Sequence, residues 1–141
     1  MSERTYQGRC HCGAIGFAFR TALPPGEWAV RACQCSFCRS HGVRMTAGPH
    51  ARVSFHFADA SRLTRYRFGT GTTDFLICSG CGVYIGAVTA SGGRQYATLN
   101  VNTIREPLPV PQAQPVDYDG ESTDEKRSRR EERWSPVDGA I

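Results

Sequence analysis

The chain has 141 residues, and its 40% hydrophobic and 21% charged residues are typical of a globular protein rather than a disordered one. The N-terminal stretch MSERTYQGRC lacks the apolar run of a secretory signal, and no segment approaches the roughly 20 apolar residues that span a bilayer. The formal net charge of +4 comes almost entirely from arginine, an excess too modest to indicate nucleic-acid binding, so we expect a cytoplasmic protein that uses neither membrane nor nucleic acid.

Short β-prone segments recur about every ten residues, separated by turn residues. They cover 14–19, 27–32, 43–46, 52–57, 63–68, 74–77, 83–88 and 96–101. In VSFHF, Val53, Phe55 and Phe57 alternate with polar residues, which predicts one buried face. The SGGR stretch at 91–94 is typical of a hairpin turn, because glycine accepts positive φ without strain. Helical periodicity is missing from this part of the sequence, so a mainly β fold is predicted.

A proline-rich stretch, EPLPVPQAQP at 106–115, separates these strands from a charged C-terminal segment. Proline favours extended backbone, so we expect this stretch to cross the surface as a connector. The length is that of one domain, 1–141. We divide it into a core at 8–104, a connector at 105–119 and a helical segment at 120–141.

The C-terminal segment STDEKRSRREERW has the pattern of a short helix. Ser122 can cap it, and Glu125 three residues later can complete a capping box. Two further pairs, Glu125 with Arg129 and Arg127 with Glu131, have the i,i+4 spacing of ion pairs. The acidic and basic residues of the segment balance, which argues against a nucleic-acid-binding tail.

Seven cysteines stand in three clusters: CHC (Cys10, Cys12), CQCSFC (Cys33, Cys35, Cys38) and CSGCG (Cys78, Cys81). An odd number at close spacing fits poorly with a disulfide framework and indicates metal binding in a reducing compartment. A Cys-x-x-Cys-Gly turn between apolar strands, FLICSGCGVYIG, is typical of a zinc knuckle in which Gly80 and Gly82 relieve the tight turn. The knuckle supplies half a tetrahedron, and a Cys-x-Cys elsewhere can supply the rest.

Seven ligands divide most naturally as four and three. The group of three would be a closed site if His41, three residues after Cys38, were its fourth ligand. Alternatively the thiols are buried and unligated. We expect the other three histidines not to be ligands. His11 lies between two candidate ligands and should point away from their metal, His50 lies in a turn, and His56 lies on the polar face of a strand.

The motifs GRCHCGAIGF, CQCSFCRSHG and CSGCG, in this order, resemble the glutathione-dependent formaldehyde-activating enzyme family, also known as the Gfa-like or centromere-protein-V-type domain. The resemblance covers about residues 8–104, and the tail YDGESTDEKRSRREERW is similar too. It implies a mainly β, Mss4-like β-tent with a zinc-knuckle hairpin, a short C-terminal helix and two zinc ions. It also implies condensation of glutathione with formaldehyde to S-hydroxymethylglutathione, classed as a carbon–sulfur lyase reaction.

The resemblance also assigns the cysteines. A structural zinc site is implied for Cys10, Cys12, Cys78 and Cys81. A catalytic zinc site whose fourth corner is left for substrate is implied for Cys33, Cys35 and Cys38. The implied partners are a small-molecule thiol and an aldehyde.

A thiol such as glutathione needs cationic partners for its carboxylates, and Arg39 and Arg44 are nearest in sequence to the group of three cysteines. Less constrained candidates are Arg65, Arg67 and Arg94. His41 is expected beside the metal ligands, while Tyr66 or Ser36 could move a proton. Two alternatives stay open: a non-enzymatic two-zinc scaffold that binds a protein or nucleic acid, and the same open-zinc chemistry on another thiol adduct. The sequence does not predict the oligomeric state.

Overall fold

A computed structural model describes residues 2–141, a chain built mainly of β-strands. The elements are β1 (Arg4–Arg9), β2 (Ile15–Thr21), β3 (Val30–Cys33), α1 (Ser36–His41), β4 (Met45–Thr46), β5 (Arg52–Phe57), β6 (Leu63–Tyr66), β7 (Thr73–Cys78), β8 (Tyr84–Ser91), β9 (Arg94–Asn100), β10 (Gln114–Val116), α2 (Thr123–Arg133) and β11 (Ser135–Pro136). Short 3-10 turns lie at Pro25–Glu27, Ala60–Arg62 and Val101–Thr103. Within residues 2–141, neither α-helix has the length and apolar character needed to cross a membrane.

The strands form two sheets that share one core. The first has the antiparallel order β1-β2-β5. The second has the order β10-β3-β4-β9-β8-β7-β6, with β11 beside β9, and its pairs are antiparallel except for β10 and β3. Fully buried side chains from both sheets fill the space between them, namely Ile15, Phe17, Val53, Leu76, Ile85 and Leu99. Apolar burial of this kind, at roughly 25 cal/mol per Å², is the main force that holds the sheets together.

The mainly β fold with a short C-terminal helix is confirmed, and the arrangement is consistent with the Mss4-like description. Each of the eight predicted segments overlaps an observed strand. The hairpin predicted at 91–94 joins β8 to β9, where Gly92 and Gly93 have φ of 59° and 78°. Runs of β-prone residues bounded by turn residues therefore located the strands of four or more residues other than β1, together with the two-residue β4.

Three strands, β1, β10 and β11, were not predicted. The prediction that no helix precedes the C-terminal segment is wrong, since α1 lies there. β1 buries only Tyr6 and Gly8, which is too weak an apolar pattern to read, and β10 and β11 are two or three residues long. The six-residue α1 begins inside the CQCSFC motif, where Cys35 caps its N-terminus, and Gly42, at φ 59°, ends it. A helix of this length is too short to show a period of 3.6 residues.

The capping box at the start of α2 is confirmed. Ser122 Oγ accepts a hydrogen bond from the Glu125 amide at 3.1 Å, and the Ser122 amide donates to Glu125 Oε1 at 2.9 Å. The two predicted i,i+4 ion pairs are wrong, since the ion pairs of this helix in the described chain join Arg129 to Glu121 and Arg127 to Asp124. The Glu125 carboxylate is already engaged by the cap.

The connector brings α2 beside the second cysteine cluster. Leu108 and Val110 pack against the core, and β10 then pairs in parallel with β3, so that Val116 lies opposite Cys33. The Gln34 amide donates to the Val116 carbonyl at 2.8 Å. This pairing places the residues that follow β10, including α2, next to the cysteines that follow β3.

Candidate metal centres and the adjoining cavity

The first metal centre candidate joins the turns of two hairpins. The Sγ atoms of Cys10, Cys12, Cys78 and Cys81 all lie within 4.8 Å of one another. Cys12 Sγ is 3.7 Å from Cys10 Sγ and 3.5 Å from Cys78 Sγ. Four sulfurs each about 2.3 Å from one zinc ion would be about 3.8 Å apart, so these sulfurs are already close to the positions of a tetrahedral set.

Backbone geometry holds these sulfurs in place. The Ile15 amide donates to Cys10 Sγ at 3.4 Å, and the Gly82 amide donates to the Cys78 carbonyl at 2.7 Å. Gly82 has φ of 80°, as the knuckle requires, whereas Gly80 does not have positive φ. A Cβ at Gly80 would lie 2.5 Å from Arg62 Nη1, so this glycine leaves room for the Arg62 side chain, which a larger residue would displace.

Arg62 covers this centre and was not foreseen from the sequence. Its Nη1 lies 3.8 Å from Cys12 Sγ, and this interaction raises the pKa of the guanidinium. Four thiolates around one divalent ion leave two negative charges, which a neighbouring cation partly compensates. Arg62 is also held by Asp59, at 3.5 Å. No sequence pattern indicated this role for Arg62, because its contact with Cys12 joins residues that are 50 positions apart and depends on the fold.

The four thiols differ in acidity. Burial raises the pKa of Cys78 to about 11. Burial opposes ionisation at Cys81 as well, but hydrogen bonds from the Cys12 and Val83 backbone and from neighbouring thiols outweigh it and lower its pKa to about 6. A backbone hydrogen bond from Ala14 lowers the pKa of Cys12. The set thus favours partial ionisation, the state that binds metal.

The second metal centre candidate contains three sulfurs. Cys33 ends β3, while Cys35 and Cys38 lie in the first turn of α1, and their Sγ atoms are also within 4.8 Å of one another. The Cys38 amide donates to Cys35 Sγ at 3.4 Å. Since Cys35 caps the helix with its sulfur, the local fold and the convergence of the three thiols depend on each other.

His41 lies near this centre without joining its sulfur cluster. Its ring packs against Phe37 at 4.6 Å and against Tyr84 at 5.6 Å, measured between ring centroids. Among residues 2–141, the groups of converging potential ligands contain cysteines alone. The arrangement gives no support to a closed site with His41 as fourth ligand.

The three thiols of this centre differ in pKa, mainly because of their hydrogen bonds and burial. A hydrogen bond from Cys38 lowers the pKa of Cys33 to about 6, while the same bond, together with burial, raises the pKa of Cys38. Burial raises the pKa of Cys35. These opposite shifts favour a thiolate at Cys33 that accepts a hydrogen bond from the Cys38 thiol.

A cavity opens directly beside these three cysteines. Its basic lining residues are Arg31, Lys126, Arg129, Arg130 and Arg133, and its aromatic ones are Phe68, Phe75, Tyr84, Tyr118 and Trp134. The three thiols line it as well, whereas the four cysteines of the first centre do not. The second centre therefore has access to a ligand of small-molecule size, whereas the first does not open onto this cavity.

The arginines expected to face the substrate lie elsewhere. Arg39 and Arg44 are not among the residues that line the cavity, and Arg44 Nε donates to Asn102 Oδ1 at 2.6 Å. Arg65 and Arg67 are paired with Asp74. The basic residues of the cavity come mainly from α2 instead.

A sequence signal for the α2 residues existed. Lys126, Arg129, Arg130 and Arg133 recur at intervals of three or four residues, which places them on one face of a helix. That pattern identifies a basic face, but only the pairing of β10 with β3 shows that the face is turned toward the cysteines.

The proton-transfer candidates Tyr66 and Ser36 do not line the cavity either. Tyr66 is 45% exposed and stacks on Phe37, with 5.6 Å between ring centroids. Tyr84 does line the cavity, and burial together with the nearby cysteines raises the pKa of its hydroxyl. Its phenol therefore stays protonated at neutral pH.

Comparisons with known proteins agree with this arrangement. A family model described as glutathione-dependent formaldehyde-activating enzyme matches residues 5–117. A crystal structure of a Rhodobacter sphaeroides protein, a structural genomics target, is similar at a TM-score of 0.57 and 29% identity. The alignment covers 78% of this chain and 99% of that one.

Proposed function

Because the chain belongs to the glutathione-dependent formaldehyde-activating enzyme family, we propose that it is a zinc-dependent enzyme that adds a small thiol to an aldehyde. Glutathione and formaldehyde are the reactants that the family description suggests. The observation that carries the proposal is the contrast between the two centres, since the three-cysteine centre lines the cavity described above and the four-cysteine centre does not. Its three sulfurs leave one position of a tetrahedron for a ligand from outside the chain.

Zinc suits both donor sets, because thiolates in a tetrahedral arrangement are typical of zinc sites. Cys10, Cys12, Cys78 and Cys81 would hold one ion as a structural centre, and Cys33, Cys35 and Cys38 would hold the second. In the second centre, zinc would keep a substrate sulfur deprotonated at neutral pH, where an ordinary thiol with a pKa of about 8.5 is mostly protonated. His41 packs on Phe37 in α1 and thereby helps to hold Cys35 and Cys38.

The reaction is an addition and needs no oxidant or reductant. The sulfur gives up its proton and forms a new bond to the aldehyde carbon. The C=O π electrons move to the oxygen, which takes up a proton, so the product is a hydroxyalkyl thioether. Aromatic side chains, including Phe75 and Tyr84, line the cavity beside the three sulfurs and give this side of the site an apolar surface.

Isothermal titration calorimetry of the zinc-loaded protein with glutathione tests the binding step. We expect saturable binding that Cys35→Ser abolishes. Ser40→Ala is a matched control on the same short helix, because its hydroxyl only bonds back to the Ser36 carbonyl at 2.7 Å and is exposed. Binding unchanged by Cys35→Ser would contradict the proposal.

NMR exchange spectroscopy with glutathione and ¹³C-formaldehyde tests the chemistry. We expect wild-type protein to raise the rate of exchange between free formaldehyde and the thiol adduct above the spontaneous rate, and Cys35→Ser protein to leave it unchanged. A rate enhancement with another thiol or aldehyde, but not with this pair, would reassign the substrate. No enhancement with any of a panel of thiols would favour a non-enzymatic two-zinc scaffold.

A further inference from the structure

Two buried polar atoms on the cavity wall have no partner in the chain. They are Arg130 Nε and Thr73 Oγ1, and within residues 2–141 they are the buried side-chain nitrogen and oxygen atoms without a hydrogen bond. Both residues line the cavity beside the three cysteines. A buried polar group without a hydrogen-bond partner is costly, so two such groups in residues that line one cavity indicate that a ligand satisfies them.

The two residues belong to the same part of the wall. Arg130 Nη1 donates to Thr72 Oγ1 at 3.0 Å, which holds the guanidinium against the start of β7, where Thr73 is the first residue. Thr73 is only 3% exposed. The Thr72 carbonyl in turn accepts from Thr89 Oγ1 at 2.8 Å, which fixes this corner of the cavity.

Arg130 is available to a ligand in a way that the adjacent Arg129 is not. Arg129 Nε is 2.9 Å from Glu121 Oε1, and its guanidinium lies 3.4 Å from the centroid of the Tyr118 ring. Arg130 has no ion pair with an acidic side chain in the described chain, and its guanidinium lies 5.2 Å from the centroid of the Trp134 ring. Burial lowers the pKa of Arg130 to about 10, which leaves it cationic at neutral pH. A partly buried cation without an anionic partner is unfavourable, and an anionic ligand offsets that cost.

We propose that Arg130 and Thr73 form a subsite that binds a carboxylate of the thiol substrate, so that the enzyme selects acidic thiols over neutral ones. This inference rests on the proposed function, since the sulfur of the same molecule would occupy the three-cysteine centre. An arginine N–H and a hydroxyl can both donate to one carboxylate. The substrate would then be held at two points, sulfur and carboxylate, which orients it in the cavity.

The test compares three probes by calorimetry: glutathione, its diethyl ester with both carboxylates capped, and S-methylglutathione without a free thiol. In wild type we expect glutathione to bind roughly ten- to a hundredfold more tightly than the diester. Arg130→Gln should remove this preference and leave the affinity for the diester unchanged. Arg127→Gln, which removes the same charge from the outer face of α2, is the matched control and should keep the preference.

The outcomes separate this inference from the proposed function. Equal wild-type affinity for glutathione and its diester would overturn the subsite but leave thiol binding intact. If glutathione binds no better than S-methylglutathione, the proposed function fails, while an Arg130-dependent loss of S-methylglutathione binding still supports the subsite. Absence of binding by all three probes would overturn both.

A second variant guards against a merely structural explanation. Thr73→Val removes a hydroxyl that has no partner in the protein, so the melting temperature should stay the same or rise, while affinity for glutathione falls. A lower melting temperature with unchanged affinity would show that the hydroxyl serves the fold, and would contradict its assignment. If Arg130→Gln fails to fold, Arg130→Lys provides the comparison, because it keeps the charge and removes Nε.

Discussion

Cys12 Sγ and Cys78 Sγ lie 3.5 Å apart, although 66 residues separate them in the chain. Cys12 follows β1 in the first sheet, and Cys78 ends β7 in the second. A metal ion held by both cysteines and their neighbours would therefore tie the two sheets together at one end of the core. Such a tie matters most in a small domain, whose apolar core alone gives limited stability.

Cys78→Ser should unfold the protein or reduce its stability severely. Structural zinc can contribute roughly 10 kcal/mol or more to a small domain, which is comparable to the whole free energy of unfolding of about 5–15 kcal/mol. Far-UV circular dichroism and thermal melting measure this effect. A variant that melts within a few degrees of wild type would show that the four-cysteine centre is not structural.

Cys38→Ser should lower the zinc content from two ions per chain toward one without unfolding the protein. The three-cysteine centre lies at one short helix and one strand end, and the two sheets pack without it. Mass spectrometry under native conditions measures the metal content, and circular dichroism checks the fold. Loss of both ions, or retention of both, would contradict separate structural and open centres.

Asp138→Asn should destabilise the protein at neutral pH but not in acid. The Asp138 carboxylate accepts hydrogen bonds from Arg52, at 2.7 Å from Nε, and from Arg20, and the bond from Arg52 is the main cause of its lowered pKa. A carboxylate with a depressed pKa in the folded state stabilises the protein above its unfolded pKa of about 3.9. This stabilisation disappears as the pH falls through the folded pKa.

Urea unfolding of wild type and Asp138→Asn between pH 7 and pH 2 measures that dependence. The difference in unfolding free energy should be constant above about pH 5 and shrink toward zero below about pH 4. Glu132→Gln is a suitable control, because Glu132 is exposed and has no ion pair among residues 2–141. A difference that does not change with pH would rule out ionisation of Asp138 as the cause.

The limits of sequence reasoning are clearest at the cavity. The knuckle cysteines and the strands around Val53 and Leu76 follow from local spacing and alternation, which short windows of sequence contain. Arg39 and Arg44 were expected to face the substrate because they are close in sequence to Cys38. Proximity in sequence does not determine which way a side chain points. Arg44 instead binds Asn102, and α2, far along the chain, supplies most of the basic residues that line the cavity.

The same limit explains the missed elements. β1 and β10 are strands because distant partners pair with them, and their own side chains show little apolar alternation. Likewise Gly80 leaves room for the Arg62 side chain, a contact that a turn rule does not contain. Long-range pairing therefore determines the parts of this site that the sequence did not reveal.

Three arginines of α2, namely Arg127, Arg129 and Arg130, should separate by role when each is changed to glutamine. Arg129→Gln loses a partly buried ion pair with Glu121 and the contact with the Tyr118 ring, so it should cost about 1–3 kcal/mol of stability. Arg127→Gln loses an exposed pair with Asp124 and should cost less than about 0.5 kcal/mol. Arg130→Gln should change ligand affinity more than stability, because its Nε has no partner in the chain.

Chemical denaturation of the three variants, with glutathione calorimetry on each, measures both quantities. The pairing found in the fold requires Arg129→Gln to be the least stable of the three, because only its guanidinium is engaged by both an acid and an aromatic ring. Equal losses of stability in Arg129→Gln and Arg127→Gln would show that the Glu121 pair does not anchor α2. The helix would then depend mainly on its cap and on Trp134 for its position beside the cysteines.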